Sequence, residues 1–390
     1  MRVVIVGAGY AGLSCALRLA GRSRGAAAIT LVNAHSEFVQ RIRLHEHAVA
    51  RPQPALPLTE LLRGTSVALE LGSASKLDLR AQTLRVGERT IGWDKLVLAL
   101  GSQDDLDRVR GAREHAHALD AASLPRLASK LAGLARRAEH VVVVGGGLTG
   151  VETACELAES YATLQVTLIT RGEVLDAMSA PARDYVRRVL ARLGVALREH
   201  VSVQEVRAGS LQTQHESIPY AACLWTAGFV APALARLAGL PVNTAGQVWV
   251  DQQLRALGHP DVHVVGDLAR PAQDLGDPMP MGCKAAFPTG LYVADSIART
   301  LVRAPARPFR YRAVPFCVSL GRHDAVLQKP CRTGAPPPRF LRGKLATWIK
   351  EWICLATVQV LKVERVRAAF SLRWTQTLRL RRAHALPTSK

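Results

Sequence analysis

The chain lacks paired cysteines, although seven cysteines are present. None of them forms a C-x-x-C or C-x-x-x-x-C pair: Cys15, Cys155, Cys223, Cys283, Cys317, Cys331 and Cys354. This spacing excludes a typical zinc-binding motif and a redox-active dithiol, and we expect no metal. An odd, scattered set of cysteines in a chain of 390 residues is typical of reduced thiols in the cytoplasm.

A long apolar run and a balance of charge are also missing. No apolar segment reaches the roughly 18 residues that span a bilayer, and residue 2 already begins a core strand instead of a signal peptide. We therefore expect a cytoplasmic protein. Basic residues outnumber acidic ones by 51 to 31, which favours an anionic partner such as a phosphorylated cofactor, an acidic protein or a membrane surface. Because 42 of the 51 are arginine, the excess also fits a compositional bias. No basic stripe with interleaved aromatics is present, so we expect no nucleic-acid binding.

Two glycine-rich loops stand between a predicted strand and a predicted helix. The first covers residues 7–12 and the second residues 145–150, each following a run of β-branched residues. In the G-x-G-x-x-G pattern the first glycine permits a tight turn, the second lets the backbone approach a pyrophosphate, and the third lets helix and strand pack closely. Two loops predict two dinucleotide sites, and two dinucleotides usually mean a flavin and a nicotinamide that exchange a hydride. The alternative is one nucleotide site and one empty structural unit.

Residues at the ends of the next strands predict how each nucleotide is selected. Asn33 stands where a carboxylate normally binds the adenosine ribose, and its amide can bind the same hydroxyls. Arg171 stands at the corresponding place in the second unit, where an acid would repel a 2′-phosphate. An arginine there favours NADPH over NADH. Glu152 faces the nicotinamide ribose or only complements the helix dipole.

The intervening segments predict further strands. Short alternating segments at 67–71, 76–79, 83–86 and 90–91 predict a small antiparallel sheet. Core strands end at Gly101, Gly228 and Asp267, and the Asp267 carboxylate is placed to accept from a ribityl hydroxyl. A helix is predicted from Leu291 to Leu301. We interpret His45 and His47 as surface or cofactor contacts and not as metal ligands.

Together these motifs resemble the flavoproteins with two dinucleotide-binding domains. Within that superfamily the chain is most similar to type II NADH:quinone oxidoreductases and their apoptosis-inducing-factor-like relatives. The segments that carry the resemblance are Val3–Gly12, Leu96–Ser102, Val141–Glu152, Leu224–Gly228 and Val264–Asp267, over residues 1–330. The resemblance implies an α/β fold with two Rossmann-type domains, the FAD domain being split by the NAD(P)H domain.

The resemblance also implies domain bounds and cofactor contacts. The FAD domain would cover 1–115 and 244–303, the NAD(P)H domain 116–243, and a C-terminal α+β region 304–390. FAD contacts would be Gly7, Gly9, Tyr10, Ala11, Gly12, Asn33, Arg43, Val67, Leu100, Gly101, Gly266, Asp267, Lys284 and Ala285. Contacts to NADPH or NADH would be Gly145, Gly147, Leu148, Thr149, Gly150, Glu152, Thr170, Arg171, Ala227 and Gly228.

The chain departs from the family at the quinone-site segment. Lys284 replaces the first glutamine of that segment, and Pro288 and Thr289 replace the glutamine pair. Lys284 is the one catalytic candidate: it stabilises negative charge on the reduced flavin, or it is a rim lysine. Cys155 and Cys283 leave a sulfide:quinone reductase open as an alternative.

We expect an FAD-dependent NAD(P)H oxidoreductase with a quinone or another small acceptor. The alternatives are a tailoring flavoenzyme of a biosynthetic pathway and a redox-sensing interaction protein with slow turnover. On the predicted C-terminal helix, apolar residues repeat every three or four positions: Leu345, Ile349, Trp352, Ala356, Val360 and Val363. We favour packing of this helix on the FAD domain or on a homodimer partner. Peripheral membrane contact is the other interpretation.

Overall fold

The computed structural model describes residues 1–330 and 337–384, with side chains described as far as residue 372. Cys331 and residues 385–390 of the predicted C-terminal region lie outside the described residues. The strands are β1 (Arg2–Val6), β2 (Ala28–Asn33), β3 (Val67–Leu71), β4 (Ala74–Asp78), β5 (Thr83–Val86), β6 (Arg89–Gly92), β7 (Lys95–Leu98), β8 (Gln103–Asp104), β9 (His117–Ala118), β10 (His140–Val144), β11 (Gln165–Ile169), β12 (Ala196–Arg198), β13 (Val203–Arg207), β14 (Ser210–Thr213), β15 (Ser217–Pro219), β16 (Ala222–Trp225), β17 (Phe229–Val230), β18 (Val248–Val250), β19 (Arg255–Ala256), β20 (His259–Val264), β21 (Ala269–Pro271), β22 (Phe316–Ser319), β23 (Ala325–Gln328) and β24 (Leu341–Arg342). The helices are α1 (Tyr10–Ser23), α2 (Leu44–His47), α3 (Leu58–Leu62), α4 (Ala112–His115), α5 (Leu124–Ala135), α6 (Leu148–Ser160), α7 (Ala180–Arg192), α8 (Leu234–Leu237), α9 (Cys283–Leu301) and α10 (Gly343–His384).

The first sheet has eight strands in the order β21-β18-β19-β20-β7-β1-β2-β3. Its inner strand β1 is buried on both faces, which explains its uninterrupted run of Val and Ile. Helices α1 and α9 pack together on this sheet, and a Cβ at Gly290 would lie 2.2 Å from the Ala11 carbonyl oxygen. The sheet therefore joins strands from residues 2–98 with strands from residues 248–271.

The second sheet has five parallel strands in the order β12-β11-β10-β16-β9. Val144 is aligned with Ile169 and with Trp225, so the carboxyl ends of β10, β11 and β16 meet at one edge. In both sheets the glycine loop follows the carboxyl end of an inner strand, β1 or β10. The predicted α/β fold class with two Rossmann-type sheets is thus confirmed, while the exact domain bounds remain predictions.

Two sequence predictions of secondary structure are wrong. Val67–Leu71 is a parallel strand of the first sheet, and the separate antiparallel sheet contains only β4, β5 and β6. Helix α9 begins at Cys283 and not at Leu291, although Pro288 lies inside it. Proline normally ends or kinks a helix, and for this reason the sequence predicted the start of the helix after Pro288. The correction places Lys284 and Ala285 at a helix N-terminus.

The C-terminal region consists of the sheet β22-β23-β24 and the long helix α10. The helix packs on α1 and β23 through Ala346, Lys350, Cys354, Leu361 and Ala368. The predicted packing of this helix is therefore present, but through a different face. Of the residues in the predicted stripe, Leu345, Trp352, Val360 and Val363 are exposed, whereas Ile349 and Ala356 are half-buried. Within the described ranges, no helix combines the length and the apolar character needed to cross a bilayer.

The glycines of the first loop provide a matched test of the packing. A Cβ at Gly12 would lie 1.8 Å from the Gly7 carbonyl oxygen, whereas a Cβ at Gly9 meets nothing within 4 Å. We expect Gly12→Ala to lower the free energy of unfolding by roughly 2 kcal/mol or more, because the backbone itself must move. Gly9→Ala should change the stability of the flavin-free protein by less than about 1 kcal/mol. Denaturant unfolding of the flavin-free proteins measures both, and equal losses would contradict this division of roles.

Candidate functional site

The first glycine loop is held by its neighbours and is open in front. Gly7 has φ +104°, and a Cβ there would lie 2.4 Å from the Ala99 carbonyl oxygen. The Ala8 N–H donates to Asn33 Oδ1 at 2.9 Å, and Asn33 Nδ2 donates to the His35 carbonyl. Asn33 therefore positions the loop through its own amide. Only the space beside Gly9 is free, as the approach of a pyrophosphate requires.

Asp267 joins three segments at the same edge of the first sheet. Its carboxylate accepts from the Ser102 hydroxyl and from the Gly282 N–H, both at 2.6 Å. Ser102 follows β7, and Gly282 precedes α9. The predicted contacts Leu100, Gly101, Gly266 and Ala285 all lie on these segments, so the structure brings them together with residues 7–12. Tyr10 packs beside them against Phe38 and Phe287, with ring centroids 5.0 and 5.3 Å away.

The Lys284 ammonium is buried and has no hydrogen-bond partner among the described residues. Its Nζ lies 4.1 Å from the centroid of the Phe316 ring, in a cation–π contact. Burial lowers the pKa of Lys284, and the neighbouring Cys317 and Cys283 thiols and Glu152 oppose that shift only in part. A buried cation without a partner requires an anionic or strongly polar ligand. A bound flavin would meet that requirement.

The second glycine loop repeats the construction of the first. A Cβ at Gly150 would lie 1.8 Å from the Gly145 carbonyl oxygen, and Gly147 again has nothing within 4 Å. The buried Thr170 packs against Gly146, and Arg171 beside it is exposed. Leu148 and Thr149 form the first turn of α6, and Ala227 and Gly228 follow β16. All the predicted contacts on these segments lie at one edge of the second sheet.

Glu152 is buried, and its partners come from other parts of the chain. The carboxylate pairs with the Lys350 ammonium of α10 and accepts from the Ser319 N–H at 3.0 Å. Burial alone would raise the pKa of Glu152, but Lys350, followed by His45, holds it below its usual range. Lys350 in turn has a raised pKa, because Glu152 outweighs the effect of burial. The two side chains therefore form an ionised pair inside the protein, and contact with the nicotinamide ribose remains a prediction.

His45 lies beside this pair. Its Nδ1 is 3.8 Å from Glu152 Oε2, and its Nε2 is 4.0 Å from Glu46 Oε1. Burial lowers the pKa of His45 to about 4, so the imidazole is neutral at pH 7. The interpretation of His45 as a surface residue is wrong, because the side chain is buried between Glu152 of α6 and Glu46. His47 is half-buried and lines a cleft between this segment and α5.

An outer cluster of ion pairs surrounds His45. Glu46 pairs with Arg43 at 2.9 Å and with Arg322 at 2.6 Å. Arg322 also reaches Glu156 at 3.4 Å, and Arg51 pairs with the same carboxylate. These pairs join the segment around residue 46 to α6 and to the turn after β22. The Glu46 and Glu156 carboxylates are buried, so removing their arginine partners would leave an uncompensated charge.

Two predicted FAD contacts have other roles. The Arg43 guanidinium is buried and occupied by the carboxylates of Glu46 and Glu351. Val67 lies at the amino end of β3, aligned with Ile29, whereas Leu71 is the residue aligned with Asn33. Since cofactors bind at the carboxyl ends of parallel strands, Val67 lies at the wrong end of its strand for such a contact.

The burial of the thiols argues against a reaction that uses a nucleophilic cysteine. Cys155 is completely buried in the core of the second sheet. This burial argues against Cys155 as a reactive cysteine of a sulfide:quinone reductase. Burial raises the pKa of Cys283 to about 11 and also raises that of Cys317. Burial of both thiols thus disfavours the thiolate, which is the nucleophilic form.

Sequence reasoning missed Lys350 and Ser319. One signal was available for Lys350: it lies four residues from both Ala346 and Cys354, on the face of α10 that is otherwise small and apolar. A lysine on a buried helix face requires a partner. The identity of that partner, nearly two hundred positions away, was not in the pattern.

Two nucleotide-binding sheets of this construction define a flavoprotein oxidoreductase that also binds a nicotinamide dinucleotide. Residues 1–290 match the model of the pyridine nucleotide-disulphide oxidoreductase family, and the chain belongs to that family. FAD and NAD(P)H are its cofactors, and the predicted superfamily is confirmed.

Curated relatives cover most of the chain. It is 28% identical to a demethylphylloquinone reductase of Synechocystis sp., over 84% of this chain and 86% of that protein. It is 26% identical to a type II NADH:quinone oxidoreductase of Staphylococcus haemolyticus, over 95% of this chain and 97% of that protein. The enzyme class inferred from the motifs is therefore supported along nearly the whole length.

Solved structures share the fold. The sulfide:quinone oxidoreductase of Aquifex aeolicus superposes with a TM-score of 0.79 at 18% identity, over 93% of this chain and 92% of that one. NDH2 of Plasmodium falciparum in complex with NADH superposes with a TM-score of 0.78 at 14% identity, over 96% and 98%. At these identities the likeness concerns the fold alone.

Proposed function

We propose that the chain is an FAD-dependent NAD(P)H:quinone oxidoreductase. The observation that carries this proposal is the pair of open glycines, Gly9 and Gly147, each facing free space at the carboxyl edge of its own parallel sheet. The relatives named above are a demethylphylloquinone reductase and a type II NADH:quinone oxidoreductase, which supports a quinone as the acceptor. FAD, when bound, supplies the electron transfer from NAD(P)H to the acceptor.

The chain's own residues bind and orient the two dinucleotides. The N-termini of α1 and α6 direct free N–H groups at the two pyrophosphates. Gly101, Gly266 and Asp267 enclose the FAD side, and Thr170, Arg171, Ala227 and Gly228 enclose the nicotinamide side. By holding both cofactors in a reactive geometry, these residues would accelerate the hydride transfer between them.

Lys284 would hold a positive charge beside a bound flavin, and that charge would stabilise the flavin when it is reduced. The ammonium has no hydrogen-bond partner among the described residues, so a bound flavin is its proposed partner. Its position in the first turn of α9 adds the positive end of the helix dipole. This arrangement replaces the glutamine of the type II family, and it stabilises the reduced cofactor by a fixed charge.

The exposed stripe of α10 is proposed as a peripheral membrane contact. Leu345, Trp348, Trp352, Leu355, Val363, Val366 and Phe370 are exposed at spacings typical of one helix face, with Trp348 at 67% and Trp352 at 62%. Arg342, Lys344, Lys362 and Arg365 flank the stripe. Tryptophan with neighbouring basic residues is the composition of a helix that lies in a lipid interface. Such contact would give the enzyme access to a lipid-soluble quinone.

Anaerobic titration of the purified holoenzyme tests the function and the nucleotide preference. We expect NADPH to bleach the flavin band faster than NADH, and a soluble benzoquinone to restore it over many turnovers. Arg171→Glu should shift the ratio of kcat/KM for the two nucleotides toward NADH by roughly tenfold or more, because a charge-assisted contact is lost. Arg137→Glu, at the opposite edge of the sheet, is the control. A flavin that neither nucleotide bleaches would contradict the function. Slow turnover with a long-lived reduced complex would favour the redox-sensing alternative.

The charge of Lys284 is tested by the flavin midpoint potential. Lys284→Met keeps the length of the side chain and removes its charge. We expect the two-electron potential to fall by roughly 30 mV or more, which corresponds to about 1.4 kcal/mol of lost stabilisation of the reduced state. Spectroelectrochemical titration measures it, with Lys130→Met on the exposed face of α5 as the control. An unchanged potential would assign Lys284 to the rim.

Membrane contact is tested by sedimentation with phospholipid vesicles. We expect the protein to bind anionic vesicles more strongly than neutral ones, and Trp348→Glu/Trp352→Glu to reduce binding about tenfold or more. Leu237→Glu, at a residue 77% exposed on α8, should have no such effect. If wild-type protein ignores vesicles and light scattering shows a dimer that the double variant dissociates, the stripe is a homodimer interface instead.

A further inference from the structure

The two parallel sheets share a feature beyond their glycine loops. In each sheet, a strand that neighbours the glycine-loop strand is soon followed by a glycine with positive φ. These glycines are Gly101 (φ +68°) after β7 and Gly228 (φ +91°) after β16. Because β7 is parallel to β1 and β16 is parallel to β10, both glycines lie at the carboxyl edge from which the loops emerge. The two dinucleotide units therefore correspond at this position as well.

An arginine from outside the strand–turn–helix unit lies beside each of these glycines. A Cβ at Gly101 would lie 3.6 Å from Nη1 of Arg41, and a Cβ at Gly228 would lie 3.8 Å from Nη1 of Arg108. Arg41 comes from the segment after β2 and donates to the Ser102 carbonyl. Arg108 comes from the linker between β8 and α4. Two separate segments thus bring a guanidinium to the same position of each sheet.

The linker that carries Arg108 is fixed against the end of β16. The Asp105 N–H donates to the Gly228 carbonyl at 3.1 Å, and the Trp225 indole N–H donates to the Asp105 carbonyl at 3.0 Å. Strands β8 and β17 pair with each other directly beside these contacts. The main chain just before Arg108 is therefore held at the carboxyl edge of the second sheet.

The Arg108 guanidinium is available to a ligand. The side chain is exposed, and among the described residues it has no ion-pair or hydrogen-bond partner. The two acids closest to it in the sequence do not neutralise it. Asp107 pairs with Arg113 at 2.6 Å, and Asp105 borders the same glycine without forming an ion pair with Arg108. All the donors of this guanidinium therefore remain free.

A free guanidinium at this edge fits the pyrophosphate of a dinucleotide. The N-terminus of α6, next to the open Gly147, supplies N–H donors to the same group. A Cβ at Gly145 would lie 2.6 Å from Thr226 Oγ1, so the strand end that leads to Gly228 packs directly on the loop. A planar guanidinium can donate two parallel N–H bonds to phosphate oxygens. We propose that Arg108 binds the pyrophosphate of the nicotinamide dinucleotide together with the N-terminus of α6.

Arg108 and Arg171 have separate roles in this proposal, which rests on the proposed function. Arg171 is the residue proposed to select the 2′-phosphate that only NADPH carries. The pyrophosphate is common to NADH and NADPH, so the loss of Arg108 should weaken both nucleotides by the same factor. The alternative is that Arg108 is one of many exposed arginines on a basic surface, with no contact to the nucleotide.

Calorimetric titration of the FAD-loaded enzyme with two non-reducing ligands tests this assignment. ADP-ribose contains the pyrophosphate but no nicotinamide, and 2′-phospho-ADP-ribose adds the group that distinguishes NADPH. Neither ligand reduces the flavin, so the titration measures binding alone. Arg108→Met removes the charge, and Arg108→Lys keeps the charge but lacks the planar fork. Arg136→Met is the matched control, because Arg136 is also exposed but lies just before β10, at the opposite edge of the sheet.

We expect Arg108→Met to raise the dissociation constants of both ligands about tenfold, because charge-assisted hydrogen bonds to a phosphate are lost. The ratio of the two constants should stay within about twofold of wild type. Arg108→Lys should bind both ligands more tightly than Arg108→Met does, and Arg136→Met should match wild type. In anaerobic stopped-flow experiments, Arg108→Met should raise the NADPH concentration that half-saturates flavin bleaching and leave the limiting rate within about twofold.

Five results would overturn the proposal. Unchanged dissociation constants in Arg108→Met would make Arg108 an ordinary surface residue. Equal weakening by Arg136→Met would assign the effect to overall charge. Weakening of 2′-phospho-ADP-ribose alone would assign Arg108 to the 2′-phosphate. Lost FAD and a lower Tm in both Arg108 variants would assign it to the structure of the linker. A wild-type enzyme that binds neither ligand would refute the second dinucleotide site, and the proposed function with it.

Discussion

The buried Glu152–Lys350 ion pair is the interaction on which the arrangement of this protein depends. Glu152 lies on the helix of the second glycine loop, and Lys350 lies on the C-terminal helix. Around them, Glu46, Glu156 and Arg322 bind the segment after β2 to α6 and to the turn after β22. Burying these charges costs free energy, which only well-placed partners repay. The same pairs thereby hold together three segments that are far apart in the sequence.

Both nucleotide loops solve one steric problem in the same way. The strand, the turn and the helix approach so closely that Gly12 and Gly150 would each place a Cβ 1.8 Å from a carbonyl oxygen. Gly9 and Gly147 are different, since free space lies in front of them. The packing glycines make the turn, and the open glycines leave it accessible. That division explains how two separate stretches of sequence, beginning at residues 7 and 145, form the same anion-binding geometry.

Much of the fold and part of the site could be predicted because they depend on local pattern. The β-branched runs before Gly7 and Gly145, and the spacing of the glycines after them, determine a strand, a turn and a helix within a dozen residues. Residues at the ends of neighbouring strands, such as Gly101, Asp267 and Gly228, then follow from the rule that parallel strands end at one edge. The prediction for Val67 failed, because the position of a residue along a parallel sheet depends on strand register, here with Ile29, and not on local composition. The helical conformation of Cys283 to Ala285 was not predicted, because Pro288 normally indicates the end of a helix or a kink in it.

By itself, the sequence determined the class of protein through its two dinucleotide loops, whereas the selecting roles of Asn33 and Arg171 and the role of Lys284 stay predictions. Each of these signals lies within one strand–turn–helix unit, where short-range sterics decide the conformation. Only the tertiary structure decided that Arg43 serves an ion cluster, that His45 lies between two carboxylates, and that Lys350 neutralises Glu152. Those outcomes join residues up to about two hundred positions apart. Their energies come from burial and charge pairing, which exist only after the domains have packed and water has been excluded.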